Sequence, residues 1–491
     1  MAPAERMIGL TGALDEARIA WLTLADRVEG LAHPTLRLGV TGLSRAGKTI
    51  FTTALVHALQ RGGRMPVFEA MQSGRIARAE LEPQPDDAVP RFAYEEHLAT
   101  LAEARAWPSS TTRVSELRLA VRYATARGSL RTLTLDLVDY PGEWLLDLPL
   151  LAMSYADFAR QSLELARAPA RARVASPYLA AVAAHGADGP ADEAHARELA
   201  ALFTAYLSAC RTEQVAMSLL PPGRFLMPGD LEGSPALTFA PLDPPDGAPR
   251  PGSLGAMMER RFEAYKNAVV RPFFRNHFAR LDRQIVLVDA LSALNAGPAA
   301  LADLERALDG ILAAFRTGRN SLLSTLFRPR IDKVLFAATK ADHLHHTSHD
   351  RLEAILARLV ERARGRAKEH GAALDVVALA AIRATREARV RRDGLDLAAI
   401  VGTPEKGQEA GGHRFDGEEE VAVFPGELPA DPDSFFDPAG TGFRGLATGD
   451  VNDADFRFLK FRPPAGIGGK APIPHIRLDR ALEFLLGDRL V

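Results

Sequence analysis

Gly42-Leu43-Ser44-Arg45-Ala46-Gly47-Lys48-Thr49 reads G-x-x-x-x-G-K-[ST] without a departure. The glycines let the backbone curl until successive N–H groups point inward at phosphate oxygens. Lys48 brings a mobile positive charge to the β- and γ-phosphates, and the Thr49 hydroxyl is placed to ligate Mg2+. The flanks supply the context that this pattern needs. Thr35 to Thr41 is a short apolar-rich run that reads as a strand. From Lys48 to Gln60 the residues Ile50, Phe51, Ala54, Leu55, Ala58 and Leu59 recur with helical period, and Gly62-Gly63 ends the run. The helix presents its N-terminal dipole to the same anion. Strand, loop and helix together predict a nucleotide phosphate site formed by Gly42, Ser44, Arg45, Ala46, Gly47, Lys48, Thr49 and Ile50.

Downstream, Ser115 to Tyr123 and Arg131 to Asp139 read as strands. A connection of about seven residues is too short for a parallel crossover, so the two must pair antiparallel. The second runs into Asp139-Tyr140-Pro141-Gly142. A carboxylate at the end of a core strand can hold Mg2+ through its water shell, and the Gly142 N–H can sense a γ-phosphate. Asp136, on the same strand, is expected to be a hydrogen-bonded structural carboxylate. Lys333 to Ala338 leads into Thr339-Lys340-Ala341-Asp342. Asp342 can accept the guanine N1–H and N2–H together, a donor pair adenine lacks, while the Lys340 stem covers the base face. GTPases usually place Asn where Thr339 stands, and a hydroxyl replaces that carboxamide only in part. Leu379-Ala380-Ala381-Ile382 closes a later strand, where a backbone N–H of Ala381 or Ile382 can meet guanine O6.

The remaining sequence sets the organisation. Further strands are expected at Gln284 to Val288 and Leu374 to Leu379, with helices near Ala299 to Thr317 and Arg351 to Lys368. Strands alternating with helices predict an α/β fold, a mostly parallel sheet flanked by helices. Glu69 to Glu103 reads as helix and loop by turns and carries no motif. Leu14, Ala17, Trp21, Leu24, Val28 and Leu31 mark one face of a helix that Pro34 stops. Its mixed-charge polar face favours packing on its own domain over a membrane surface. Residues 151 to 280 read as a large insertion, helical at both ends, and Pro221 to Pro251 carries nine prolines. The expected division is therefore an N-terminal amphipathic helix at 1–34 and a nucleotide-binding domain in two parts, 35–150 and 281–400. The helical insertion at 151–280 separates those parts, and a loop-rich extension at 401–491 packs on the core.

At 491 residues the chain exceeds the size at which one core keeps growing. A net charge of only −2 gives no whole-molecule field toward nucleic acid or an anionic membrane, so no specific nucleic acid is expected. The basic run Arg383, Arg386, Arg389, Arg391 and Arg392 reads accordingly as a solvated face. Cys210 is the single cysteine, so no intrachain disulfide forms. No apolar run reaches the roughly 18 residues of a membrane span, and the N-terminus lacks a secretion signal. An intracellular, soluble protein is expected, with peripheral membrane attachment left open. His343, His345, His346 and His349 cluster after the Asp342 turn without the H-E-x-x-H pattern or a cysteine, and a structural metal is disfavoured there.

Taken together, several stretches resemble the YcjX-like family of bacterial P-loop GTPases. They are TGLSRAGKT at 41–49, DLVDYPGEWLLDLPLL at 136–151, RQIVLVDALSALNAG at 283–297, AATKADHL at 337–344, ALAAIRATRE at 378–387 and GGKAPIPHIRLDRALEFLL at 468–486. They span nearly the whole chain. The resemblance implies a Ras-like GTPase domain with a helical insertion, GTP/GDP binding and a cytoplasmic location. It also implies a link to bacterial stress responses and an inner-membrane or other protein partner.

In such a GTPase a mobile loop offers a threonine to Mg2+ just before the second strand. Thr111 and Thr112 both stand there, and Thr112 is the expected metal ligand beside Thr49 and Asp139. The residue after Gly142 is Glu143 rather than the usual water-orienting Gln, which predicts slow intrinsic turnover. Lys48, Thr49, Asp139 and Gly142 are expected to carry the chemistry; Arg45 more plausibly forms an outward ion pair. Two other readings stand beside this one. The first is a P-loop ATPase using Gln284 to Asp289 as its Mg2+ strand, though Ala290 follows where many place Glu. The second is a nucleotide-stabilised scaffold that barely hydrolyses.

Overall fold

The computed structural model describes residues 34–491 apart from residues 44, 85, 110, 213–214, 245–246, 315–330, 362–371, 393–394, 411, 438–458 and 469–471. The amphipathic helix expected before Pro34, and Ser44 of the phosphate loop, lie outside the described residues.

Seven strands form one sheet: β1 (Thr35–Gly42), β2 (Ile76–Glu82), β3 (Ser115–Ala124), β4 (Leu130–Asp139), β5 (Arg283–Val288), β6 (Lys333–Ala338) and β7 (Ala373–Ala378). Their spatial order is β2-β3-β4-β1-β5-β6-β7. β1 pairs parallel with both β4 and β5, β5 with β6, and β6 with β7. β3 runs antiparallel to β4 and β2. The expected α/β architecture and the antiparallel hairpin are both present. β2 was not expected: its sequence IARAELE is rich in helix formers, and pairing with β3 along a sheet edge overrides that preference.

Alternation along the strands assigns the two faces. Leu36, Leu38 and Val40 of β1, Leu133, Leu135 and Leu137 of β4, and Ile285 and Leu287 of β5 share one core with helix α1 (Lys48–Arg61). Val286 and Val288 point to the other side, into a core with the insertion. All six residues of β5 are buried, as a central parallel strand covered on both faces requires.

The insertion contributes α2 (Tyr155–Arg167), α3 (Pro169–Ala184), α4 (Glu193–Cys210) and α5 (Leu254–Tyr265). Phe158, Tyr178, Phe203 and Phe262 pack in the same core as Val286, which makes the insertion continuous with the sheet. Asp147 belongs to the 3-10 stretch Gly142–Ala152 after β4. It accepts from the Tyr265 hydroxyl (2.6 Å) and the Gly223 N–H (2.7 Å), pinning that stretch to the insertion. Helices α6 (Pro298–Ala314) and α7 (His349–Leu359) follow β5 and β6. The later residues of both expected helices lie outside the described part.

The C-terminal portion contains a second, three-stranded sheet: β8 (Arg386–Arg392), β9 (Leu395–Gly402) and Val421–Val423. The basic run is thus largely a strand, with Arg386 exposed and paired to Glu420 at 3.0 Å. The last helix, α8 (Leu478–Leu486), returns to the main sheet, where Leu478, Leu482 and Leu485 join the core of Leu36 and Leu38. Arg283, fully buried at the start of β5, donates to the Leu485 carbonyl (2.5 Å) and Asp488 (2.6 Å) and fastens that helix.

Candidate functional site

β1 ends at Gly42, where a Cβ would lie 2.6 Å from the Leu287 carbonyl oxygen; the loop leaves the sheet pressed against β5. Arg45 (φ 61°) and Gly47 (φ 84°) adopt left-handed backbone, and these two turns wind the chain into α1. No side chain caps α1, and its first turn contains no acidic residue. Its leading N–H groups are therefore suited to an anion. The Lys48 ammonium lies over the loop and donates to the Gly42 carbonyl at 3.0 Å.

Beside Lys48 three side chains form a chain of oxygens. Thr111 Oγ1 donates to Asp139 Oδ2 at 2.6 Å and lies 3.2 Å from Thr49 Oγ1. Thr49 Oγ1 also lies 3.4 Å from the Ser109 carbonyl. Asp139 is buried, and burial pushes its carboxyl up to about 6 against the opposing pull of Lys48 and the Thr111 hydroxyl. Its Oδ1 is buried without a hydrogen-bond partner. An orphaned carboxylate oxygen next to two hydroxyls is a hard oxygen set that suits Mg2+. Of the two candidate threonines, the loop brings the Thr111 hydroxyl to Asp139 and Thr49, whereas the Thr112 carbonyl faces Gly229 of the insertion.

Gly142 lies against the loop so closely that a Cβ there would fall 1.7 Å from the Gly42 carbonyl oxygen. Any larger residue would drive the Asp139 turn away from the loop. Glu143 is buried and pairs at 3.5 Å with Arg211, just after α4 of the insertion. Both line a second cleft that shares Arg45 with the first. Asp136 pairs with Arg118 through two bonds of 2.6 and 2.8 Å, the structural role expected of it.

At the other end of the cleft β6 turns at Lys340, itself left-handed (φ 61°). The Thr339 N–H donates to the Val288 carbonyl (2.9 Å), and the Lys340 ammonium pairs with Asp289. Asp342 is buried, with Oδ2 accepting from the Ala384 N–H at 2.9 Å and its carbonyl accepting from the Thr385 hydroxyl. One carboxylate oxygen remains for a ligand, together with spare acceptor capacity on the other. Burial alone would raise the pKa of Asp289; the charge and hydrogen bond of Lys340 and the bonds from Ser292 outweigh it and hold Asp289 below the ordinary value. That carboxylate, the Mg2+ ligand of the ATPase reading, is thus committed to Lys340 and to capping Ser292 at 3.1 Å.

Arg45, Ala46, Gly47, Lys48, Thr49, Ile50, Thr339, Lys340, Asp342, Ala381 and Ile382, all named from sequence, line one open cleft. The same cleft is walled by residues that sequence reasoning missed: Trp107, Glu405, Lys460 and Phe461. Trp107 Nε1 donates to the Phe461 carbonyl at 2.7 Å, and the His343 ring meets the Phe461 ring edge-on at 5.7 Å. Arg462 donates toward the carbonyls of Ala104 and Arg105, each at 3.4 Å, and to that of Gly417 at 2.7 Å. No motif announces this wall, because its halves are some 350 residues apart in sequence. Among the described residues no helix is long and apolar enough to cross a membrane.

Comparison with known proteins adds three findings. A family model described as the YcjX-like family, DUF463, matches residues 36–490. The Ras-like GTPase YcjX of Escherichia coli K12 is 39% identical over 480 residues, covering 93% of this chain and 96% of that protein. The Ras-like GTPase YcjX of Shewanella oneidensis MR-1 is 34% identical over 499 residues, 95% of this chain and 98% of that protein.

Proposed function

The chain belongs to the YcjX-like family, and from that membership we propose that it binds guanine nucleotide and hydrolyses GTP to GDP and phosphate with Mg2+. The observation that carries the reading is the Lys48–Thr49–Thr111–Asp139 corner, with its orphaned carboxylate oxygen, directly below an uncapped helix start.

In this reading the backbone of Gly42 to Thr49 holds the phosphates, and Lys48 leaves the Gly42 carbonyl to neutralise them. Thr49, Thr111 and Asp139 are the residues that would hold Mg2+. An ion held there would supply positive charge against the charge that develops on the phosphates. The Gly142 N–H reports the γ-phosphate, since its contact with Gly42 leaves it nowhere to retreat without moving the turn. Asp342 reads the Watson–Crick edge of guanine, Lys340 covers one face of the base, and Ala381 and Ile382 lie at its rim. Glu143 brings a negative charge to the position that usually orients water, and Arg211 neutralises it; turnover is accordingly slow. The stress-response role and the membrane-protein partner rest on the family resemblance.

The burial of Glu143 also favours a second reading, a nucleotide-dependent scaffold with little hydrolysis. Phosphate release from purified protein separates the two. Release well above that of Lys48→Ala supports the enzyme, and release no greater than the variant's supports the scaffold. Competition between GTP and ATP tests the base assignment, and equal affinity would overturn it.

A further inference from the structure

The histidines after the base-reading turn divide into two sets. His343 packs on Phe461, and His349 Nε2 lies 3.3 Å from the Leu344 carbonyl within its own turn. His345 and His346 go the other way and meet Glu387 of β8. His346 Nδ1 lies 2.6 Å and His345 Nε2 4.0 Å from the same oxygen, Glu387 Oε2. One ligand atom from each of the three residues falls within 4.8 Å of the others.

Each of the two less exposed groups is oriented by a further partner. Arg383 donates to Glu387 Oε1 at 3.0 Å, which leaves Oε2 to the histidines. His345 Nδ1 accepts from the Thr347 N–H at 3.5 Å and lies 3.1 Å from the Thr347 hydroxyl, contacts that hold the ring with Nε2 toward Glu387. A second group that fixes the aim of a ligating imidazole is a regular part of metal sites. The third group, His346, is the exposed one and can rotate onto an ion. Bonds of about 2.0–2.1 Å in a tetrahedron place ligand atoms roughly 3.4 Å apart. The present separations lie on both sides of that value, so small side-chain rotations close the set.

The geometry points to a transition-metal site formed by His345, His346 and Glu387, with two imidazoles and one carboxylate suited to Zn2+ and a fourth position open to water. Mg2+ is a poor match, since it prefers an all-oxygen octahedron. The site is separate from the Mg2+ corner at Thr49 and independent of the GTPase reading. It has a mechanical relation to base recognition nonetheless. Thr385, two residues before Glu387, and Ala384 hold Asp342 by hydrogen bonds, so an ion here ties β8 to the turn that carries Asp342.

The test uses the full chain, stripped with a chelator and kept in excess Mg2+, titrated with Zn2+ and separately with Co2+. One equivalent should bind, raise the melting temperature, and give Co2+ the visible spectrum of a low-coordinate nitrogen and oxygen site. His346→Ala and Glu387→Gln should each weaken binding at least tenfold, and a cooperative melting transition of both variants in Mg2+ alone serves as the folding check. Equal binding by His346→Ala, or no saturable uptake by the wild type, would overturn the site.

Discussion

Single residues carry consequences that can be checked one at a time. Asp147 is buried between the 3-10 stretch after Gly142 and the insertion, and burial pushes its carboxyl up to about 6 despite bonds from Tyr265 and Gly223. A folded value above the unfolded one means the native state keeps a proton that the unfolded chain has already released. Stability is therefore lost as pH rises from about 4 to about 6 and the penalty is constant above that, a span on the order of 3 kcal/mol. Melting curves of wild type and Asp147→Asn should diverge across this window and run parallel beyond it; parallel behaviour throughout would remove Asp147 from the balance. Lys48, Thr49, Asp139 and Asp342 were legible in sequence because each belongs to a motif whose neighbours fix its geometry. The choice between Thr111 and Thr112 was not, since it depends on how the loop turns its side chains between Ser109 and β3.

Among elements, the insertion is more than an appendage. Asp303 of α6 is fully buried and accepts from the N–H groups of Ser218 and Leu219 (2.7 and 2.8 Å) while pairing with Arg171 of α3. Removing one partner of a buried ion pair leaves an uncompensated charge, so Asp303→Ala should cost about 3–5 kcal/mol in chemical denaturation. Ser218 and Arg211 line a cleft with Glu143 and Arg45, which puts residues of the insertion next to the phosphate loop. Arg211→Ala leaves the Glu143 charge unneutralised and should lower phosphate release about tenfold, roughly 1.4 kcal/mol. GDP affinity should stay the same; a drop in GDP affinity with unchanged release would place Arg211 in binding instead. Strands with β-branched or long apolar runs, β1, β4, β5 and β6, could be read directly. β2 and β8 could not: IARAELE and REARVRR carry helix-forming and charged residues, and only pairing with β3 and β9 makes strands of them.

At the scale of the whole molecule, the candidate nucleotide cleft is walled by residues far apart in sequence. Trp107 and Phe461 form a wall, and Arg462 bolts that wall to the carbonyls of residues 104, 105 and 417. Arg462→Ala removes the bolt without touching the cleft lining, and dissociation of a fluorescent GDP analogue should quicken about tenfold, roughly 1.4 kcal/mol of lost restraint. An unchanged rate would reduce the segment to passive packing. Sequence reading placed the extension on the core but not at the cleft, because a contact between Trp107 and Phe461 leaves no periodic trace in either segment. The placement also bears on biosynthesis. A ribosome makes the phosphate loop long before it reaches Phe461. Newly made protein would therefore retain its nucleotide only after Phe461 has been made and folded back, and chains abandoned before that point would release whatever they had captured.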